Sequence, residues 1–537
     1  MSKTVDIALV FPPLWYFAAV PTDLSAVAGA LHQRGLRVGA WDLSAGFTHH
    51  MLGSHRAFVA LRREQTYLDP GAQRQASSEL FAAAAEAGER FGAQWRLRAL
   101  TLSGADPTHL PSALRAGLDP ARNPALRYLV QSAAEVLGSG PDVVAIALVH
   151  PDQVIHCAAL ARILRTQGFA GRLLLYGSLE DVLSPEDFAP DLLGEPPHLL
   201  FRDFDAAVIG DAEPALIAVA EAGSGPIAPG LPNVLLPGEE RVPERTARSL
   251  DALPLPRFDW VRPEHYPFPR PVVDLRLGRG CPWGRCAFCA IQAHQVGYRA
   301  QPAQRVIRAM DAAHGQLGAT HFRVRDDLLT PSQLRELGTL SRTLDFDARW
   351  TARSRFEPNL SRGVLATAAA GGLEELWLGL ESASPRVRAL MDKGVRQEHI
   401  GRILREGSAL GLRIRALCML GFPGETEAEA RRTVDFVLAH QEHLAGVSLT
   451  PFELMRRSPM ASDPASHGVA VAPIPGQRFE RITCAIPVVA SAGMDDEQRR
   501  RLFRESLIRL EPMLTAGAPG PGPTHAWLSA SLRAQAR

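Results

Sequence analysis

Cys281, Cys286 and Cys289 stand in the run Gly280-Cys-Pro-Trp-Gly-Arg-Cys-Ala-Phe-Cys289, directly after the strand-like stretch 272–277. Half of the chain's six cysteines therefore fall within nine positions, on a loop that leaves a strand. Three thiolates at this spacing suit three irons of a [4Fe–4S] cluster and leave the fourth iron open to a small-molecule ligand. Such a site is built for redox chemistry, because something other than protein completes it. Two other readings use the same residues. A structural zinc ion needs four ligands, and His294 is near enough in sequence to be the fourth, although no second Cys-x-x-Cys pair is present. A disulfide framework fits poorly, since six cysteines in 537 residues are few and no signal-peptide pattern opens the sequence. Cys157, Cys418 and Cys484 lie in apolar surroundings and read as small buried hydrophobes.

The scaffold that must hold this loop is large. A chain of 537 residues predicts two or three domains. An apolar fraction of 46% and a charged fraction of 21% are those of a soluble globular protein. A net charge of +1 gives no electrostatic case for nucleic acid or an acidic membrane as partner. No apolar run reaches the length of a membrane span, so a cytoplasmic setting is expected, and its reducing conditions suit an iron–sulfur cluster. Lys3 and Lys393 are the only lysines; every other cationic side chain of this kind is an arginine.

Strand–helix alternation organises most of the sequence. Buried strands are predicted at 5–11, 36–42, 142–148, 172–176 and 206–209, with helices at 22–34 and 156–166 and another after 213. This β-α-β order implies a parallel, doubly wound Rossmann-like sheet over residues 1–222, with ligands at the carboxyl ends of its strands. The alternation lapses between about 46 and 140, where an Ala-, Glu- and Arg-rich stretch from 78 to 100 predicts a helical insertion, either a scaffold or a lid. Residues 223–271 are rich in Pro and Gly and read as an interdomain connection. Over 272–450 the alternation returns, with strands expected at 272–279, 321–326, 348–353, 374–380, 413–421 and 446–451. Six units predict a partial (β/α)6 barrel, two short of closure. Residues 451–537 form an irregular accessory region with a charged helix at 495–510 and a Gly/Pro-rich run near 516–523.

Reading the carboxyl ends of the barrel strands gathers the chemistry. They give in turn the three cysteines, Asp326-Asp327, Arg353 with Arg355, Gly379-Leu380-Glu381-Ser382, and Gly421-Phe422-Pro423-Gly424-Glu425-Thr426. Each taken singly has a plain structural explanation as a helix cap or a turn. Their shared rim is the stronger argument.

With these motifs the second domain resembles the radical S-adenosylmethionine (SAM) superfamily over about residues 270–450. The first resembles the cobalamin-binding module that precedes this barrel in one branch, through Val10-Phe11-Pro12-Pro13, 142–148, Gly177-Ser178 and Gly210-Asp211-Ala212-Glu213. The resemblance implies a [4Fe–4S] cluster on Cys281, Cys286 and Cys289 as catalytic and metal-binding residues. SAM would be held on the open iron near Phe288, Glu381 and Ser382, with Gly421, Pro423, Gly424 and Glu425 at its adenine and Arg353 at its carboxylate. Cobalamin would lie near Pro13, Gly177, Ser178, Gly210 and Glu213.

The expected activity is methyl transfer to unactivated carbon of a natural-product or peptide substrate through a 5′-deoxyadenosyl radical, with a reductase or flavodoxin-type electron donor. Alternatives are a radical cyclase or rearranging enzyme on the same scaffold, a cobalamin-free enzyme of peptide maturation whose first domain only packs or binds peptide, and a zinc-stabilised binding protein. The chain departs from the family pattern in two places. Four residues rather than three separate Cys281 from Cys286, and Tyr176-Gly177-Ser178 stands where a Gly-Gly pair is usual. It also lacks the Asp-x-His-x-x-Gly run of some cobalamin proteins.

Overall fold

The computed structural model describes residues 4–14, 19–97, 99–106, 108–177, 199–237, 246–247, 249–291, 297–473, 485–514 and 523–536. Ser178, His294, Cys484 and the run 516–522 lie outside the described residues. The chain divides at Pro271/Val272 into two compact units, with Gly315–Gly318 counted in the first.

The first unit is built on a six-stranded sheet: β1 (Ile7–Phe11), β2 (Val38–Asp42), β3 (Val143–Ala147), β4 (Arg172–Tyr176), β5 (Ala206–Val208) and β6 (Val234–Leu235), in the order β2-β1-β3-β4-β5-β6. All pairings are parallel except that of β6. The central strands Ile-Ala-Leu-Val-Phe and Val-Val-Ala-Ile-Ala are buried on both faces, as continuous apolar runs require. Helices Thr22–Gln33 and Ala212–Ala222 cover one face through Leu24, Val27, Leu31 and Leu216. Helices Leu126–Gly138 and Val154–Thr166 cover the other through Leu129, Val136, Leu160 and Leu164. This is the doubly wound arrangement.

The insertion is helical, with different bounds from those expected. Its long helix spans Pro70–Glu89, started by Asp69, whose carboxylate accepts from Gly71 N–H at 2.7 Å. Gly92, at φ 62°, turns the chain out of it and into a short hairpin of Gln94–Trp95 with Leu100–Thr101. The stretch 223–271 is part of the first unit, to which it contributes β6.

The second unit holds six parallel strands: β7 (Val272–Leu275), β8 (His321–Val324), β9 (Arg349–Ser354), β10 (Leu373–Glu381), β11 (Arg413–Leu420) and β12 (Gly446–Pro451). They lie in simple chain order, and among the described residues β7 and β12 do not pair, so the barrel is partial. The first strand is shorter than the expected 272–279 for a specific reason. The N–H groups of Leu277 and Gly278 turn to the Asp326 carboxylate at 2.8 and 2.5 Å, and Gly278–Arg279 then pairs antiparallel with Arg299–Ala300.

The two faces of this sheet differ sharply. Phe322, Val324, Trp350, Ala352, Leu376, Leu378, Ile414 and Ala416 are buried on one. Asp274, His321, Arg323, Arg349, Arg353, Arg413 and Arg415 alternate onto the other. Helix Pro523–Gln535, absent from the sequence-based expectation, lies against this polar face. His321 Nε2 meets Ser531 Oγ at 2.9 Å, Trp527 Nε1 donates to Glu374 at 2.7 Å, and Arg323 donates to Thr524 Oγ1 at 3.1 Å. Among the described residues no helix is long and apolar enough to cross a membrane.

Candidate active site

The cysteine loop begins at Gly280, φ 83°, and carries Gly284 at φ 61°. Glycine takes this left-handed conformation without penalty, and it accommodates the four-residue spacing between Cys281 and Cys286. Backbone bonds clamp the far half of the loop: Ala287 N–H to Met391 O and Met460 N–H to Ala287 O, both 2.9 Å. Trp283 braces the near half. Its indole N–H donates to Asp392 O at 2.9 Å, and the Arg355 guanidinium lies 3.7 Å from the centroid of its ring.

The three thiols are partly buried, and each bears electrostatically on its neighbours. Burial pushes Cys286 above its ordinary value and Cys289 up to about 12, so ligation itself must supply the deprotonation. Among the described residues no three His, Cys, Asp or Glu side chains converge as a single metal ion requires. A cubane makes no such demand, because it draws each thiolate to a different iron.

Beside the loop, Lys393 Nζ donates to Glu381 Oε1 at 2.7 Å, with both side chains about one-tenth exposed (12% and 11%). Burial acts to lower the lysine pKa, but Glu381 and the thiolates of Cys286 and Cys289 outweigh it and the net shift is upward. Glu381 sits at φ 59°, next to an irregularity in the β10–β11 register. That strain at a non-glycine residue turns its carboxylate off the strand end. Ser382 is fully buried; its carbonyl accepts from Arg388 at 2.7 Å and its hydroxyl from Ser384 N–H at 3.2 Å.

The turn after β11 completes this side of the rim. Gly421 and Gly424 have φ 84° and 83°. Glu425 is fully buried, accepts from Gly421 N–H at 2.6 Å, and leaves Oε1 without a hydrogen-bond partner. Burial raises its pKa to about 7, with the Gly421 N–H and the Ser382 hydroxyl holding it down. Phe288 meets Phe422 edge-on at 6.5 Å, and Pro423 is buried beside it in the chain. The loop, Glu381-Ser382 and the 421–425 turn thus form one connected group.

Arg353 belongs to a different part of the rim. Its charged neighbours are Asp327, Arg323, Asp274 and Arg276, and Asp327 in turn bears on Cys289. Among the described residues no hydrogen bond or ion pair joins Arg353 to Glu381 or Ser382.

In the first unit, Pro13, Gly177 and Gly210 follow β1, β4 and β5, so all three lie at the carboxyl edge of the sheet, and Glu213 is buried in the first turn of the helix after β5. Gly177 has φ 115°, and a Cβ there would stand 2.5 Å from Leu148 O. Gln153, fully buried, ties the loops of β1 and β3 together by accepting from Val149 N–H at 3.0 Å and donating to Pro12 O at 2.9 Å. That junction is the topological switch point, where α/β sheets bind ligands.

Residues 275–437 match the model of the Radical SAM superfamily. An uncharacterized methyltransferase of Pyrococcus horikoshii is 28% identical over 199 residues, 36% of this chain and 43% of that one. A ribosomal protein uS12 methylthiotransferase, RimO, of Frankia alni is 29% identical over 191 residues, 33% of this chain and 34% of that one. The chain thus spans under half the length of these curated relatives.

Solved structures match far more of it. The radical SAM methyltransferase TsrM of Kitasatospora setae, with tryptophan substrate and a SAM analog bound, gives a TM-score of 0.63 at 14% identity, covering 99% of this chain and 96% of that one. The cobalamin-dependent radical enzyme OxsB, with aqua-cobalamin and SAM bound, gives 0.60 at 12% identity, covering 93% and 66%. Residues 275–437 of the second unit thus resemble the radical SAM domain, and the chain as a whole shares the fold of these two cobalamin-dependent or SAM-binding structures.

Sequence reasoning passed over Lys393 and the Trp283–Arg355 stack. Lys393 carried a signal, as one of two lysines in an arginine-based chain. The stack carried none, because it joins residues 72 positions apart (355 − 283) that no local pattern connects.

Proposed function

We propose that this protein is a cobalamin-dependent radical SAM methyltransferase acting at unactivated carbon of a natural-product or peptide substrate. The observation that carries the reading is the single group formed by the cysteine loop, Lys393–Glu381 and the 421–425 turn at the carboxyl ends of the barrel strands. When bound, the cluster and SAM supply a carbon-centred radical and cobalamin supplies the transferable methyl group.

The protein's residues hold and shield these groups. Cys281, Cys286 and Cys289 are the thiolates offered to iron. Glu381 and Lys393 present an anion and a cation to the zwitterionic end of SAM. Gly421 and Gly424 let backbone approach a planar base, with the Phe288 and Phe422 rings excluding water. Cobalamin is assigned to the carboxyl edge formed by Pro13, Gly177 and Gly210, where Gly177 lets the ends of β3 and β4 lie close, since a Cβ there would meet Leu148 O.

Residues 451–537 supply part of a substrate cleft in this reading. A cavity of about 820 Å³ next to the Gly421 turn is lined by Leu420, Phe452, Leu454, Ile486, Val488 and Phe503. A flavodoxin-type reductase is the proposed electron donor.

The test begins with anaerobic purification in the presence of cobalamin, followed by iron, sulfide and cobalt analysis. About four irons and four sulfides with one cobalt are expected. Product should then form together with S-adenosylhomocysteine and 5′-deoxyadenosine. Absence of S-adenosylhomocysteine would remove methyl transfer, and a cluster without cobalt would remove cobalamin.

A further inference from the structure

The polar face of the second sheet carries more arginine than it uses. Arg323 is committed to Asp274, with Nη2 to Oδ2 at 2.7 Å, and Arg415 to Glu375 at 2.8 Å. Two others toward the carboxyl end of this face are not so committed. Arg325 approaches Asp274 only to 3.9 Å and its buried Nε has no hydrogen-bond partner. The Arg353 guanidinium makes no hydrogen bond or ion pair among the described residues; burial, Arg323 and Arg276 disfavour its charge, and Asp327 and Asp274 only partly offset them. Arg276 has its own partner. Both side chains are partly exposed, but the Arg325 Nε is withdrawn from water without a partner, a cost that an anion on this pair would relieve.

We infer that Arg325 and Arg353 form the receptor for a carboxylate of the substrate. Register places them together: Arg323 pairs with Thr351 across β8 and β9, so Arg325 and Arg353 are the next residues on the same face of the two strands. Charge favours an anion. Four arginines (276, 323, 325 and 353) lie with Asp274, Asp327 and Asp326, and Asp326, its carboxyl pushed up to about 7 by burial, offsets them only in part. A planar carboxylate also matches the fork of a guanidinium, which a point charge would not need. Position favours substrate, because β8 pairs directly with β7, whose carboxyl end leads into the cysteine loop. The anchored carboxylate would therefore sit at the carboxyl ends of β8 and β9, between β7, which leads into the cluster loop, and β10, which carries Glu381.

This inference rests on the radical SAM reading and deepens it. The test uses full-length, cluster-loaded protein under anaerobic conditions, with sodium acetate as probe at fixed ionic strength and phosphate as the comparison anion. Acetate should raise the melting temperature of the wild type, and its apparent affinity should fall about tenfold or more in R325Q and in R353Q. R325K and R353K, which keep the charge, should fold like the wild type and still bind acetate more weakly.

Acetate stabilisation that persists unchanged in all four variants, or none in the wild type, overturns the assignment. Stabilisation by phosphate alone would overturn the carboxylate in favour of a phosphoryl group. An equal loss of SAM affinity in R353Q would move the pair to SAM's own carboxylate. Failure of the wild type to assemble a cluster would instead sink the radical SAM reading, and iron content separates the two failures.

Discussion

Lys393 donates to Glu381 across 2.7 Å in a chain that has only two lysines. An arginine fork would not serve here, since a compact ammonium fits between a carboxylate and the cysteine loop where a broad planar group would not. The pair links the cluster thiolates to the strand end that carries Ser382. Breaking a buried pair by removing one partner leaves an uncompensated charge and costs about 3–5 kcal/mol. K393M is therefore expected to lower the melting temperature and weaken SAM binding. E381Q/K393M should recover part of the stability but not the SAM affinity, as equilibrium dialysis with the cluster-loaded protein would reveal.

The cysteines divide into working and idle. C286A should abolish cluster assembly, with iron near zero after reconstitution and no cleavage of SAM. Cys157 is fully buried against Ala147 O, and burial keeps its thiol protonated, so C157A should retain wild-type iron and lose only about 1 kcal/mol of packing. Wild-type iron content in C286A would refute the site.

Glu425 makes stability depend on pH with an unusual sign. Its pKa rises from 4.5 to about 7 on folding, so the folded state holds the proton more tightly than the unfolded state. The corresponding stabilisation is full below about 4.5 and is lost as pH climbs through about 7, a change of about 2–4 kcal/mol. Asp326, also raised to about 7 by burial, acts in the same direction. E425Q should flatten the profile over this window, and denaturant titrations at pH 5 and pH 7.5 measure the difference. Equal slopes in variant and wild type would contradict the raised pKa.

Helix Pro523–Gln535 should be essential to the second unit. Trp527 is 1% exposed and its indole N–H is held by Glu374. W527A is expected to cost about 3–5 kcal/mol and to lower cluster yield. Limited proteolysis would show the loss as cleavage within the barrel, while the first unit stays intact.

What the sequence disclosed follows from the range of the interactions. The parallel strands were legible because strands buried on both faces read as continuous apolar runs, and the site loop because three cysteines sit within nine residues. The six-strand barrel followed from counting. Strand ends were less legible: 272–279 breaks after Leu275 because Asp326, some 50 positions on, captures the next two N–H groups. Helix Pro523–Gln535 was missed because its polar residues answer charges on β8 and β10, which no periodicity within the helix encodes.

The seating of Pro523–Gln535 against the polar face has a kinetic consequence. The partners His321–Ser531 and Glu374–Trp527 are 210 and 153 residues apart in sequence. During synthesis the polar face of β8, β9 and β10 therefore waits for its cover long after the strands themselves have left the ribosome. Contacts of such long range form late and slow the final step. The apolar face, whose helices follow each strand at once, consolidates first. Maturation of this protein is thus divided in time, with an early assembly of the sheet on its helices and a late closure of the polar interior.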